Sequence, residues 1–441
     1  MAESPSRICL LLALLCCSLQ LARCDDAKIH FLQKEKQVLD QILDPERYDA
    51  RIRPSGQNGT DGPTEVRVNI FVRSISKIDD YKMEYSVQLT FRQQWLDERL
   101  RYNDFDDQRP HVTLKEASRV WMPDLFFSNE IEGHFYNIMQ PNQYIRIFPS
   151  GSVLHSIRVS LTLSCPMNLK LYPLDSQVCS LRMASYGWTS DDLVFLWKEG
   201  DPVQVVRNLQ LPRFTLEKFL TNYCTSKTNT GEYSCLKIDF LFKREFFYYL
   251  IQIYIPFCML VIVSWLSFWL DQEAVLARVL LGVTTLLTMA MQTFNINVSL
   301  PPVSYIKAID VWTGVCLTLV FGAQLEFVFV NYVFRSDMRR ENLKKKRREM
   351  ESAQSMDAAT DLMDTDSNTI FTMKPLVQSG DPLDLEKVRR CEEHMQPPPS
   401  NFCKIWLSKF PTRSKRIDVI SRITFPLAFA LFHLVYWSTY L

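Results

Sequence analysis

Four apolar runs, over residues 247–270, 279–296, 309–334 and 419–441, each have about the length a bilayer core asks of a helix. Lipid offers no hydrogen-bond partner, so a chain carrying such runs must pair every backbone N–H and C=O there within helices. Any one run could be a buried helix of a soluble protein. Four together, three of them joined by short connections, favour a membrane bundle. The second run begins after Arg278 and is richer in Thr than the others.

Charge sets the topology. The segment 335–416, between the third and fourth runs, opens with Arg339, Arg340, Lys344, Lys345, Lys346, Arg347 and Arg348. It closes with Lys409, Arg413, Lys415 and Arg416. Basic residues near span ends mark the cytoplasmic side. The same runs suit anionic membrane lipid, which puts them at the inner leaflet too. The middle of the segment is rich in Asp, Ser and Thr and carries Pro397-Pro398-Pro399, a composition that points to disorder. At the other end of the chain, Arg7, the apolar stretch 8–15 and small residues up to Cys24 read as a secretory signal, too short to span. The N-terminal region is then exported, and four spans return the C-terminus outside.

Between Asp25 and Glu245 no run reaches spanning length. After a charged opening over 26–47, expected to be helical, the pattern alternates with period two over 66–72, 85–92 and 154–163. Turn signals such as Arg109-Pro110, Gln140-Pro141-Asn142 and Pro149-Ser150-Gly151 separate these stretches. Short alternating strands at this spacing predict an all-β sandwich. The exported region holds Cys165, Cys179, Cys224 and Cys235. Four cysteines allow three pairings; order along the chain favours Cys165 with Cys179 and Cys224 with Cys235. Asn58-Gly59-Thr60 is a glycosylation sequon.

Other functions find little support. A net charge of +1 over 441 residues leaves no basic surplus for nucleic acid. His30, His111, His134, His155, His394 and His433 are scattered without metal-ligand spacing, and no Gly-rich phosphate loop, Gly-x-Ser-x-Gly or HExxH occurs. No catalytic residue, metal site or cofactor is expected.

The stretch from Cys165 to Cys179, with thirteen intervening residues and a central Tyr172-Pro173-Leu174-Asp175, matches the signature of the Cys-loop ligand-gated channels. Trp121-Met122-Pro123-Asp124 matches a second hallmark, and the resemblance continues through all four spans. It implies an extracellular sandwich, a four-helix membrane bundle and a pentamer, either of one chain or with related subunits. Transmitter sites would lie between extracellular domains. The chain then divides into a signal (1–24), the ligand-binding sandwich (25–245), spans one to three (246–334), a largely disordered cytoplasmic loop (335–416) and span four (417–441). The expected location is the plasma membrane, at a postsynaptic face. In this family the Cys165–Cys179 loop passes movement to the segment 298–307, and Tyr172-Pro173 is a candidate cis bond.

The second span resembles the pore helix of anion-selective members. Leu276, Ala277, Leu280, Thr284, Leu287 and Met291 are the expected pore lining, with steps of four, three and four from Leu280 on placing one face together. Five copies of Leu287 make an apolar gate that closes by dewetting. No carboxylate occurs between Val275 and Ile306. Ala277 stands where cation-selective relatives carry Glu, and Arg278 is expected to leave positive potential at the inner end. Leu276 replaces the Pro usual in anion channels, and Leu280 a smaller or hydroxylated residue.

The ligand pocket follows by the same resemblance. Arg73, Arg92 and Ser156 occupy neighbouring strands; Ser185, Tyr186, Thr230 and Tyr233 face them across the interface. Guanidinium groups bind carboxylates through paired charge-assisted hydrogen bonds. Aromatic faces hold an ammonium by cation–π attraction. Two carboxylates and one ammonium describe glutamate, and these positions resemble those of invertebrate members opened by glutamate and permeable to chloride. Glycine receptors share Arg92 but typically lack an arginine at position 73. A channel gated by glycine or another amine, or a subunit working only in heteromers, is the alternative. Gly314 matches the small residue of the third span that admits macrocyclic lactones between subunits in this family; close helix packing also explains a small residue there.

Overall fold

The computed structural model describes residues 33–56, 59–103, 110–361 and 413–440. The expected signal, Asn58 and the centre of the 335–416 segment lie outside the described residues. The chain divides into two compact units. The first takes the described residues up to Tyr248 together with Ser299–Tyr305; the second takes Tyr249–Val298 and the described residues from Ile306 on.

The first unit begins with a helix over residues 33–42. A β-sandwich follows. Its larger sheet has eight strands: β1 (Thr64–Asp79), β2 (Glu84–Leu96), β3 (Val112–Leu114), β5 (Glu130–Phe135), β6 (Gln143–Ile147), β7 (Ser152–Ser164), β9 (Leu193–Trp197) and β10 (Val203–Val205). The path runs β10-β1-β2-β7-β6-β3, with β9 beside β1 and β5 beside β7. The smaller sheet runs β11 (Phe214–Tyr223), β14 (Cys235–Arg244), β8 (Ser176–Ser185), β4 (Leu125–Phe127). A short hairpin pairs β12 (Ser226–Thr228) with β13 (Gly231–Tyr233).

Period-two alternation decides which side each residue faces. Val66, Val68, Ile70 and Val72 of β1, with Tyr85, Val87 and Leu89 of β2, are buried inside the sandwich. Leu181 and Met183 of β8 and Ile238, Phe240 and Phe242 of β14 close the core from the other sheet. Tyr85 meets the edges of Phe240 and Phe242 at centroid distances of 6.4 and 6.2 Å. Disulfides join Cys165 to Cys179 and Cys224 to Cys235. The peptide bond between Tyr172 and Pro173 is cis. The backbone N–H of Leu169, inside the Cys165–Cys179 loop, donates to the Tyr305 hydroxyl at 2.9 Å.

One buried ion cluster sits at the end of β14. Arg244 donates to Asp175 at 2.7 Å and to Asp80 at 2.7 and 2.8 Å. Its guanidinium lies 4.6 Å from the Tyr172 ring centroid and 4.5 Å from that of Phe214. Both carboxylates and the guanidinium are thus desolvated together, with the hydrogen bonds offsetting that cost.

Four helices are of spanning length, Phe246–Phe268, Val275–Val298, Ala308–Asp361 and Arg413–Tyr440, and all but the first three residues of the first belong to the second unit. The first contains a π-helical turn, Leu250–Tyr254, just ahead of Pro256. Proline has no N–H to give and its ring crowds the preceding turn, which favours a widened turn there. Around Trp312 of the third helix, Tyr254 of the first and His433 and Tyr436 of the fourth meet at 4.8, 4.9 and 5.0 Å. The Tyr254 and Tyr436 hydroxyls are 3.0 Å apart, and Tyr436 also donates to the Ala308 carbonyl at 3.2 Å.

Three helix bounds differ from those read in the sequence. The second helix starts at Val275 and includes Leu276, Ala277 and Arg278. The charge of Arg278 does not end the helix because Asp418 neutralises it, as described below. The fourth starts at Arg413. The third runs unbroken to Asp361, far past the expected end at Phe334. No Gly or Pro occurs from Ala323 to Asp361, and the stretch is rich in Glu, Lys, Arg and Met, which are strong helix formers. The opening of the expected disordered loop is therefore helical.

Candidate ligand-binding and pore sites

The outward face of the large sheet carries a band of cations. Arg92 on β2 stands in register with Asn69 of β1 and Ser156 of β7. It donates to Asn69 Oδ1 at 3.0 Å. Arg73 on β1 donates through Nε to the Thr90 hydroxyl at 2.7 Å, and lies 5.5 Å from the Phe71 ring. Thr90 in turn registers with Arg158 of β7. Arg158 donates to Gln88 Oε1 at 2.9 Å and lies over the Tyr136 ring at 4.3 Å. Among the described residues none of these three guanidinium groups pairs with a carboxylate. Ser156 is buried beside them. Arg158, Asn69 and Thr90 had no role in the sequence reading. Period two was the available signal for Arg158, since 156 and 158 share a face.

A second group gathers around the β12–β13 hairpin. The Thr230 and Tyr233 hydroxyls are 2.9 Å apart. Gly231 takes φ 146°, and a Cβ there would come within 2.8 Å of Thr189 Cγ2. The hairpin is pinned by Ser190, whose N–H donates to the Glu232 carbonyl at 2.7 Å. Tyr186 is 78% exposed and meets Phe126 edge-on at 5.6 Å.

Ser185 is placed differently. It is buried, and its hydroxyl lies 2.9 Å from Asp124 Oδ1 and 2.8 Å from the Trp188 carbonyl. Asp124 also accepts from the N–H groups of Gly187 and Trp188. Ser185 thus shapes the turn that presents Tyr186, and the Trp-Met-Pro-Asp hallmark acts through its carboxylate on that same turn. Within one chain no hydrogen bond, ion pair or ring contact among the described residues joins this group to the arginine band.

The helix Val275–Val298 has two unlike faces. Leu276, Ala277, Leu280, Thr284, Leu287 and Met291 lie on an exposed face, with Leu287 61% exposed. Thr284 and Thr288 hydroxyls donate back to the carbonyls of Leu280 and Thr284, each at 2.8 Å. Arg278, Gly282, Thr285 and Met289 form the buried face. Gly282 packs against Gln324 so closely that a Cβ would overlap that side chain. At Gly314 of the third helix a Cβ would meet open space, so the close packing considered for it is not seen within one chain.

Arg278 requires a correction. It was expected to leave positive potential at the pore's inner end. It is instead 1% exposed, turned away from the Leu280–Leu287 face. It pairs with Asp418 of the fourth helix at 3.2 Å and donates to the Leu270 carbonyl. Gln272 and Ser414 extend this buried network, with Gln272 Nε2 reaching Asp418 at 2.9 Å. Its charge is matched by a carboxylate, so the exposed face of the helix is neutral throughout.

Comparison with known proteins agrees with both units. The family described as the neurotransmitter-gated ion-channel ligand binding domain matches residues 35–246, and the neurotransmitter-gated ion-channel transmembrane region matches 253–369. A glutamate-gated chloride channel of Drosophila melanogaster is 74% identical over 436 residues, covering 96% of this chain and 95% of the relative. A glutamate-gated chloride channel subunit beta of Haemonchus contortus is 42% identical over 414 residues, covering 92% and 91%.

Proposed function

This chain belongs to the neurotransmitter-gated ion-channel family, and on that premise we propose that it is a subunit of a chloride channel opened by extracellular glutamate. The single observation that carries the ligand is the band of Arg73, Arg92 and Arg158, three guanidinium groups on one sheet face with no carboxylate partner among the described residues. Such a face suits an anionic ligand, and two carboxylates would draw on more than one arginine. The relatives' names support the same reading.

The pocket forms between copies. Arg73, Arg92 and Ser156 of one subunit hold the carboxylates. Tyr186, Thr230 and Tyr233 of its neighbour cover the ammonium, their rings offering cation–π attraction. Ser185 acts indirectly, by fixing the turn that carries Tyr186. Five subunits surround the pore, and Leu276, Ala277, Leu280, Thr284, Leu287 and Met291 line it. Among the described residues no carboxylate lies on that helix face, so it offers cations no partner, and the relatives' names support chloride as the permeant ion. The N-terminal domain and the C-terminus are extracellular, the 335–416 segment is cytoplasmic, and the membrane is postsynaptic.

Gating is a population shift: glutamate binds the contracted pocket better and so favours the open state. The hydrogen bond from Leu169 to Tyr305 offers a route from the disulfide loop to the segment leading into the third span.

Arg92→Ala tests the pocket. The half-maximal glutamate concentration should rise at least a hundredfold at normal surface expression, in line with the loss of about 3 kcal/mol for a charge-assisted pair. Unchanged sensitivity would sink the assignment.

A further inference from the structure

Behind the arginine band, inside one sandwich, lies a cavity of about 420 Å³. Its walls are largely apolar, formed by Phe91, Phe127, Ile157 and Leu161 among others. Two buried polar side chains also line it, Gln93 and His155. His155 is 6% exposed, and among the described residues neither of its ring nitrogens has a hydrogen-bond partner. A buried polar group without a partner costs stability and marks a place where a missing group belongs. Glu130, His134 and Phe135, on the same side of the cavity, are exposed and leave a way in.

The walls and the orphan imidazole together define an occupant. Burial pushes the His155 imidazole down to about 4, so the ring is neutral near pH 7. A neutral ring has one N–H donor and one lone-pair acceptor. A hydroxyl complements either nitrogen, whichever tautomer is present, because it both donates and accepts. No buried charge lines the cavity, and the Glu130 carboxylate stands exposed at its opening, so an anion would enter unpaired and a cation would find a partner only at the mouth. The volume lies within the usual range for small-molecule sites.

We propose that this cavity is a second ligand site, within a single subunit, for a small uncharged apolar molecule bearing a hydroxyl, such as a phenol. Its occupancy is read at the transmitter pocket through two short routes. Phe126 lines the cavity and meets Tyr186 edge-on at 5.6 Å. On the opposite wall Gln93 and His155 point inward from the strand positions next to Arg92 and Ser156. A molecule that moves β2 or β7 from inside moves the guanidinium groups outside. Both routes rest on the pocket assignment above; binding itself does not.

Photolabelling of the full-length channel with a diazirine-bearing phenol tests binding without any variant. The label should fall on residues 122–135 or 153–161 and be displaced by excess phenol. In cells, phenol should shift the half-maximal glutamate concentration at least threefold. His155→Phe, which fills the cavity and removes the nitrogens, should abolish both the label and any further shift by phenol at normal surface expression. Labelling confined to the membrane helices would overturn the proposal. So would an electron-density map in saturating phenol showing only water on His155. Labelling at the cavity with no effect on glutamate would refute the coupling and leave the site standing.

Discussion

Arg244 is enclosed on every side, with Asp175 and Asp80 as its partners, 69 and 164 residues away in the chain. No local pattern could have joined them. Period two, by contrast, is a local property that sets which face of its strand each of Arg92 and Ser156 takes, while their standing side by side followed from the resemblance and is seen in the register of β2 with β7. Removing the guanidinium leaves two carboxylates buried without a counter-ion. Arg244→Ala should cost about 3–5 kcal/mol, seen as loss of mature protein at the cell surface. An unchanged surface signal would mean that water reaches the cluster.

His155 is the opposite case, a buried base with no hydrogen-bond partner among the described residues. Its imidazole falls from the ordinary 6.5 to about 4 because burial penalises the charged form. Below pH 6.5 the unfolded chain takes up a proton that the folded chain refuses. Stability contributed by the neutral ring is therefore complete above pH 6.5 and is lost as pH falls towards 4, by up to about 3 kcal/mol. Melting of the purified channel should drop more between pH 7 and pH 5 than that of His155→Gln. Parallel curves would show that the ring is solvated.

At the scale of elements, membrane spans were legible because each must be apolar for about twenty residues. Their ends were not. The sequence reading stopped the third helix where hydrophobicity stops, at Phe334, yet backbone hydrogen bonding does not depend on apolar side chains. Residues from Arg335 to Asp361 keep the helix because they are good helix formers with no Gly or Pro among them. Spin labels at positions 335 and 352 should lie about 25 Å apart along the axis, from the rise of about 1.5 Å per residue. Lys344→Pro, which costs about 3 kcal/mol in a helix interior, should broaden and shift that distance. A broad distribution already present before the substitution would deny the helix.

Arg278 shows a second limit at this scale. Helical spacing separated it from the Leu280–Leu287 stripe, but only the fourth helix, 140 residues on, shows where its charge goes. Selectivity argued from its positive potential therefore gives way, within the proposed function, to an argument from an exposed helix face that carries no carboxylate.

For the whole molecule, no hydrogen bond, ion pair or ring contact among the described residues joins the arginine band to the group around the β12–β13 hairpin within one chain. The sandwich and the four spans could be read from the sequence, whereas the pairing of these two groups into one pocket follows from the resemblance and belongs to the proposed function. Contact between subunits is a property of assembly, which strand alternation and helix periodicity do not encode. The cavity behind β2 and β7 escaped for a related reason, since emptiness between packed sheets leaves no mark in the order of residues.

The central claim is that glutamate opens a chloride pore formed by this chain. Voltage clamp of cells expressing it, with glutamate applied while external chloride is stepped, tests that directly. The account predicts a glutamate current whose reversal potential follows the chloride equilibrium potential at every step. A current that follows sodium instead, or one evoked by glycine and not by glutamate, would contradict it.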